Sequence, residues 1–167
     1  MTTPLNRRNA LRMASAAAVG AGATVGLAAP ARAARRARTL TLTGRRASAN
    51  IPDVLTTGTP YFVHYELLDT EGSPAGTESA HCLPVTVGTD GALVIATLVL
   101  RLADGTLTAA TAFPRPLPAL TEVLTAPRQW SHTFAVTGGT GAYDGATGEI
   151  TIDHISREED VLTVTLG

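Results

Sequence analysis

Residues 92–113 read Ala92-Leu-Val-Ile-Ala-Thr-Leu-Val-Leu-Arg-Leu102, then Ala103-Asp104-Gly105, then Thr106-Leu-Thr-Ala-Ala-Thr-Ala-Phe113. Two runs rich in branched side chains favour extended backbone, and the Asp-Gly pair between them supplies the positive φ of a tight turn. Thr89-Asp90-Gly91 repeats the signal just before the first run. Connections this short join neighbouring antiparallel strands, because a parallel pair needs a long crossover.

Working outward, the same punctuation recurs. Runs of Thr, Val, Ile, Leu and aromatic residues interrupted by Gly, Pro or Asp-Gly predict eight strands: 39–44, 60–68, 78–87, 92–102, 106–113, 130–137, 147–155 and 160–166. The one weak helix candidate, Leu117 to Leu124, is broken by Pro118 and bounded by Pro116 and Pro127. An open sheet of eight short strands exposes two backbone edges, and closing it removes both. The expected fold is all-β, an eight-stranded antiparallel β-barrel, lipocalin-like in overall shape; a sandwich is the competing architecture. Such a barrel either fills with side chains or holds one small ligand.

Alternation assigns faces. On 60–68, Tyr61, Val63, Tyr65 and Leu67 oppose Phe62, His64, Glu66 and Leu68; on 130–137, Trp130, His132, Phe134 and Val136 oppose Ser131, Thr133, Ala135 and Thr137. Strands apolar on both faces need an outer cover, either another subunit or the 114–129 loop.

The 167 residues include 13 Arg, no Lys, 14 acids and one Cys. A lone Cys excludes an internal disulfide and a Cys-rich metal site. Every acid lies from Asp53 onward, whereas nine of the Arg lie at or before Arg46. The acidic body repels phosphate backbones, so no nucleic-acid partner is expected. Residues 1–33 read as a leader: Arg7 and Arg8 precede an uncharged stretch from Met13 to Ala31, and Ala31-Arg32-Ala33 offers a small-x-small cleavage site. The paired arginines resemble a twin-arginine export signal, which implies a secreted protein. A stretch composed mostly of Ala and Gly makes a poor permanent membrane anchor. Residues 34–38 form a basic linker, and 39–167 form the domain.

The most specific segment is Phe134-Ala-Val-Thr-Gly-Gly-Thr-Gly-Ala-Tyr-Asp-Gly-Ala-Thr-Gly148. Its Gly138, Gly139 and Gly141 predict a tight bend after the 130–137 strand, with Gly145 and Gly148 permitting close backbone passage before the next one. Tyr143 offers a ring to cap the barrel end. The segment lacks the Lys-Ser/Thr ending of a phosphate loop. Read with Tyr65-Glu66-Leu67-Leu68-Asp69 and the stretch from Gly76 to Cys82, it resembles the allene oxide cyclase-like barrels, a superfamily that also contains the dirigent proteins. The resemblance spans about residues 39–167 and speaks to fold more than to reaction. It implies a hydrophobic interior pocket, oligomers, no metal or organic cofactor, and a small apolar or phenolic molecule whose isomerisation or cyclisation the pocket guides. Glu66 matches the strand glutamate of the plant cyclases and Cys82 a cavity cysteine. Where those cyclases continue into Asn and a further Glu, this chain has Leu68 and Asp69.

Glu66 is therefore the first catalytic candidate: an acid among Tyr, Phe and Leu is costly unless paired, and an interior position raises its pKa. His64, on the same face, is the second, as a proton-moving partner. Cys82 is expected to be an inert cavity wall, since His81 points to the opposite face. Trp130, His132 and Phe134 share a face and, with Tyr143 folded toward the same rim, offer a stacking surface for a ligand ring. His132 and His154 are not placed to hold a metal, and Ser79, Ser131 and Ser156 lack an assignable base. The expected function is an exported barrel that binds a small hydrophobic molecule and guides its isomerisation or cyclisation; the alternative is a non-catalytic carrier or an oligomeric cell-envelope protein.

Overall fold

The computed structural model describes residues 37–116 and 130–167. Within them all eight expected strands are present: β1 (Arg38–Ala49), β2 (Tyr61–Leu68), β3 (Pro74–Val87), β4 (Gly91–Leu102), β5 (Gly105–Pro116), β6 (Trp130–Gly141), β7 (Gly148–His154) and β8 (Glu159–Leu166). They close into a barrel in chain order, each antiparallel to the next, with β8 returning to pair with β1. The sandwich is excluded. The leader and the helix candidate at 117–124 lie outside the described residues.

Several strands run further than the pattern of side chains indicated. The clearest case is β6, where Gly138, Gly139 and Thr140 pair with Thr108, Leu107 and Thr106 of β5 instead of bending away. Glycine is needed at 139 because a Cβ there would stand 2.6 Å from the Tyr143 carbonyl oxygen and 2.7 Å from that of Thr106. The turn comes at Gly141, with φ at 64°. The chain then lays Tyr143, 3% exposed, across the end of the barrel.

Strands that alternate in direction sort the interior by level. The connections 50–60, 88–90 and 155–158, the end of β5 and the start of β6 share one end, called the Trp130 end below. The connections 69–73, 103–104 and 142–147 share the opposite, Tyr143 end. Towards the Tyr143 end the interior is solid: Leu100, Leu107, Ile150 and Val164 are 0% exposed, and Leu67 is 1% exposed. A side chain with no accessible surface borders no water-sized void, so this half is packed rather than the open hydrophobic chamber the resemblance implied. Nearer the Trp130 end most inward positions of β3 and β4 are small, namely Ala80, Cys82, Ala92 and Ala96, with Pro84 and Val94 among them. Small residues on one wall leave room for the bulky groups of the opposite wall.

The outer surface is two-sided. Phe62, Leu93, Ile95 and Val99 stay exposed on β2 and β4, and Phe62 stacks on His81 at 4.9 Å. Across the barrel, Thr41, Thr163, Thr151 and Thr133 sit side by side on β1, β8, β7 and β6.

Candidate functional site

Most inward-facing polar groups gather in the half of the barrel that is not packed with Leu and Ile, and Glu78, the cross-strand partner of Leu100, stands at its border. On β3, Glu78 occupies an inward position in phase with Ala80 and Cys82, and is 2% exposed. On β8, Asp160 begins the inward row Asp160, Leu162, Val164, Leu166, and is 1% exposed. Burial, reinforced by the charge of Asp160, pushes the Glu78 carboxyl up to about 8, so it is protonated at neutral pH. Its Oε2 has no hydrogen-bond partner among the described residues. Asp160 accepts a 2.7 Å hydrogen bond from Nδ1 of His154 on β7, its cross-strand neighbour. In the neutral ring, Nδ1–H donating to the carboxylate leaves the lone pair on Nε2, an atom that is buried and has no partner among the described residues.

Tyr65 joins this group from β2, and the sequence shows why it reaches. Gly44 of β1 separates β2 from Asp160, and a Cβ there would press on the Tyr65 ring at 3.3 Å. The missing side chain lets the ring lie across β1 towards Asp160. Burial, and then the Asp160 charge, hold the Tyr65 hydroxyl well above its ordinary range. Arg46, two positions along the same β1 face, pairs with Glu158 at the rim.

An aromatic stack lies beside the acids. His132 packs against Phe113 at 4.1 Å and Trp130 at 4.8 Å, and His154 against Trp130 at 4.0 Å and His132 at 5.1 Å. Phe134 closes the stack below at 5.1 Å from His132. Burial and the neighbouring His154 depress His132 to about 3, so its ring is neutral. Outside this edge lies an open groove of about 390 Å³, bounded by Trp130, Ser131, Asp153, His154, Ile155 and Val161. Trp130 and His154 thus border both the groove and the interior stack. On the far wall a second polar node forms, where Arg115 of β5 donates to the Tyr61 hydroxyl at 2.7 Å, beside Cys82.

The sequence candidates separate on this geometry. Trp130, His132 and Phe134 come together inward, and Cys82 lines the interior with its thiol held above its usual range by burial. Glu66 does not. The inward set of β2 is Tyr61, Tyr65 and Leu67, which turns Glu66 out to solvent with Arg45 as its cross-strand neighbour. His64 faces outward too, its Nδ1 2.9 Å from Ser79 Oγ, so neither is an interior acid or base. Tyr143 does not fold toward the Trp130 rim, because β6 carries the chain to the opposite end before Tyr143 is reached, and there it lies near Arg38. His132 and His154, read from sequence as not placed to hold a metal, stack as neighbours. Glu78 and Asp160 were missed, although each breaks an otherwise apolar period-two row, which is a signal of a buried acid.

No family model matches the sequence, and no curated protein does. Solved structures do. A pyocyanin demethylase superposes with a TM-score of 0.62 at 20% identity, covering 78% of this chain and all of that one. The barrel fold is shared. A heme-binding cyclase that catalyses a [4 + 2] cycloaddition in neoabyssomicin biosynthesis gives 0.60 at 16%, over 78% of this chain and 64% of that chain. The Diels–Alderase AbmU from Streptomyces koyangensis gives 0.60 at 17%, over 80% and 65%. The eight-stranded barrel is therefore one that demethylase and cyclising enzymes also use, and its chemistry has to be argued from this chain's own residues.

Proposed function

We propose that the barrel binds a small, largely apolar, planar molecule against the Phe113–Trp130–His132 stack and isomerises or cyclises it by moving protons. The observation that carries this reading is a set of three buried side-chain atoms without partners among the described residues, Glu78 Oε2, His132 Nδ1 and His154 Nε2. Buried polar atoms are almost always satisfied, and three left open in and beside an aromatic stack suit a molecule that completes them. Glu78, protonated at neutral pH, gives its proton to a developing anionic atom, while Nε2 of His154, held by Asp160, takes one up. The net proton count of the site is unchanged. The aromatic stack orients the ring, and the apolar walls strengthen both interactions by excluding water.

Binding is read from Trp130, the only Trp in the chain, by titrating a panel of small conjugated and aromatic compounds and following emission quenching. Products from compounds that quench are sought by mass spectrometry. Glu78→Gln is expected to lower turnover by about a hundredfold or more while quenching persists. Quenching without any product supports the carrier alternative and removes the catalytic reading.

We read the chain as an exported one, since its opening residues carry the paired arginines and the small-x-small site described above. The exposed row of Phe62, Leu93, Ile95 and Val99 suits a homodimer or homotrimer. Native mass spectrometry of protein recovered outside the producing cell tests both, since an uncleaved monomer contradicts them.

A further inference from the structure

The node on the far wall plays no part in that proton chemistry. Arg115 uses one N–H on the Tyr61 oxygen, and its guanidinium lies 5.2 Å from the centroid of the Tyr61 ring. The next inward side chain on the same strand is Phe113, stacked on His132. A residue spacing of two on a strand places Arg115 about 7 Å beyond Phe113, towards the Trp130 end. Among the described residues its near neighbours Tyr61 and Cys82 are neutral. Burial pushes the Tyr61 hydroxyl up to about 12 and the Cys82 thiol above its usual range. Among the described residues, no carboxylate stands within ion-pair distance of the guanidinium.

We infer that Arg115 and Tyr61 hold the carboxylate of an aromatic acid whose rings lie on the Phe113–Trp130–His132 stack. This names the substrate class for the reading above and rests on it. The guanidinium fork matches a carboxylate in plane. The Tyr61 oxygen accepts from Arg115, and its own hydrogen, directed at the Cys82 sulfur when no ligand is bound, turns to donate to a second carboxylate oxygen. The two polar nodes then divide the labour. Arg115 fixes the charged end of the molecule, and Glu78 and His154 meet the ring portion. A neutral ring finds only the stack, and an acid finds stack and anchor together.

Calorimetric titration of the full chain with 2-naphthoate and with its methyl ester tests this. The acid is expected to bind about tenfold or more tightly than the ester, since a hydrogen-bonded charge pair contributes on that scale. Arg115→Gln is expected to erase the advantage, weakening the acid by about tenfold and moving the ester by less than about twofold. If Arg115→Gln fails to fold, Arg115→Lys substitutes for it, with an intermediate loss confined to the acid. Equal binding of acid and ester by the wild type, or equal weakening of both by the variant, overturns the anchor and leaves the ligand-binding reading standing. Binding of neither overturns both.

Discussion

The two ends of the barrel interior are built from the same alternation but to opposite purposes. Towards Tyr143, Leu, Ile and Val from β2, β4, β5, β7 and β8 interdigitate until several have no accessible surface. Towards Trp130, inward positions carry Asp160, His154, His132, Tyr61 and Arg115 beside small Ala and Cys residues, and Glu78, the cross-strand partner of Leu100, stands where the two halves meet. A closed sheet fixes the walls at both ends, so the difference lies only in which side chains fill them. The packed end makes the barrel stable enough to tolerate an unpaired acid at its border, and strained or unsatisfied groups persist only where the rest of the structure supports them.

The largest effect expected is at the packed end. Leu107 is 0% exposed, and Leu107→Ala should cost about 3–5 kcal/mol by leaving a cavity that the rigid barrel cannot collapse. Denaturant titration measures it. A cost well under that range would mean that this end is loosely filled, and the contrast between the ends would fail.

The polar end should behave in the opposite way, and pH exposes it. Glu78 holds its proton to about 8 in the fold, against 4.5 for the free side chain. Between those values the folded state binds more protons than the unfolded one, so stability falls as pH rises and levels off above 8. His132, depressed from 6.5 to about 3, acts with the other sign, adding stability as pH rises to 6.5. The two slopes oppose one another below 6.5. Between 6.5 and 8 the Glu78 slope stands alone, about 1–2 kcal/mol over the window. Calorimetric melts at pH 6.5 and 8 should show the wild type losing that stability and Glu78→Gln keeping it. A wild type as stable at pH 8 as at 6.5 would remove the buried, protonated acid from the site.

How much of this was legible in the sequence follows from what period-two patterns can carry. Turn residues such as Asp104-Gly105 and the branched runs around them gave every strand, and antiparallel closure followed from the short connections. The inward set of β6 was also readable. Three things were not. Strand ends were lost where glycine extends a strand without a side chain to mark it, as at Gly138 and Gly139. The level of Tyr143 along the barrel axis depended on that same missed extension. The role of Gly44 required knowing that β8 lies on the far side of β1, a long-range pairing that no local pattern contains. Glu78 and Asp160 were different, because each sits in phase with an apolar row and was within reach of the same alternation applied to Tyr65 and Glu66.

The smallest effect expected falls on Glu66, and it sharpens the comparison by placing an acid outside the barrel against Glu78 inside it. Both stand on adjacent strands, and their near neighbours Tyr65 and Thr77 are cross-strand partners of Glu78 and Glu66 respectively. One step of alternation separates them. Glu66 is exposed and has Arg45 beside it in register, and an exposed carboxylate of this kind contributes little. Glu66→Gln should change stability by less than about 0.5 kcal/mol, leave the slope between pH 6.5 and 8 as in the wild type, and leave ligand quenching of Trp130 untouched. A change in the pH slope or in quenching would mean that β2 is turned over by one residue, which would carry Tyr61 and Tyr65 out to solvent and dismantle both polar nodes at once.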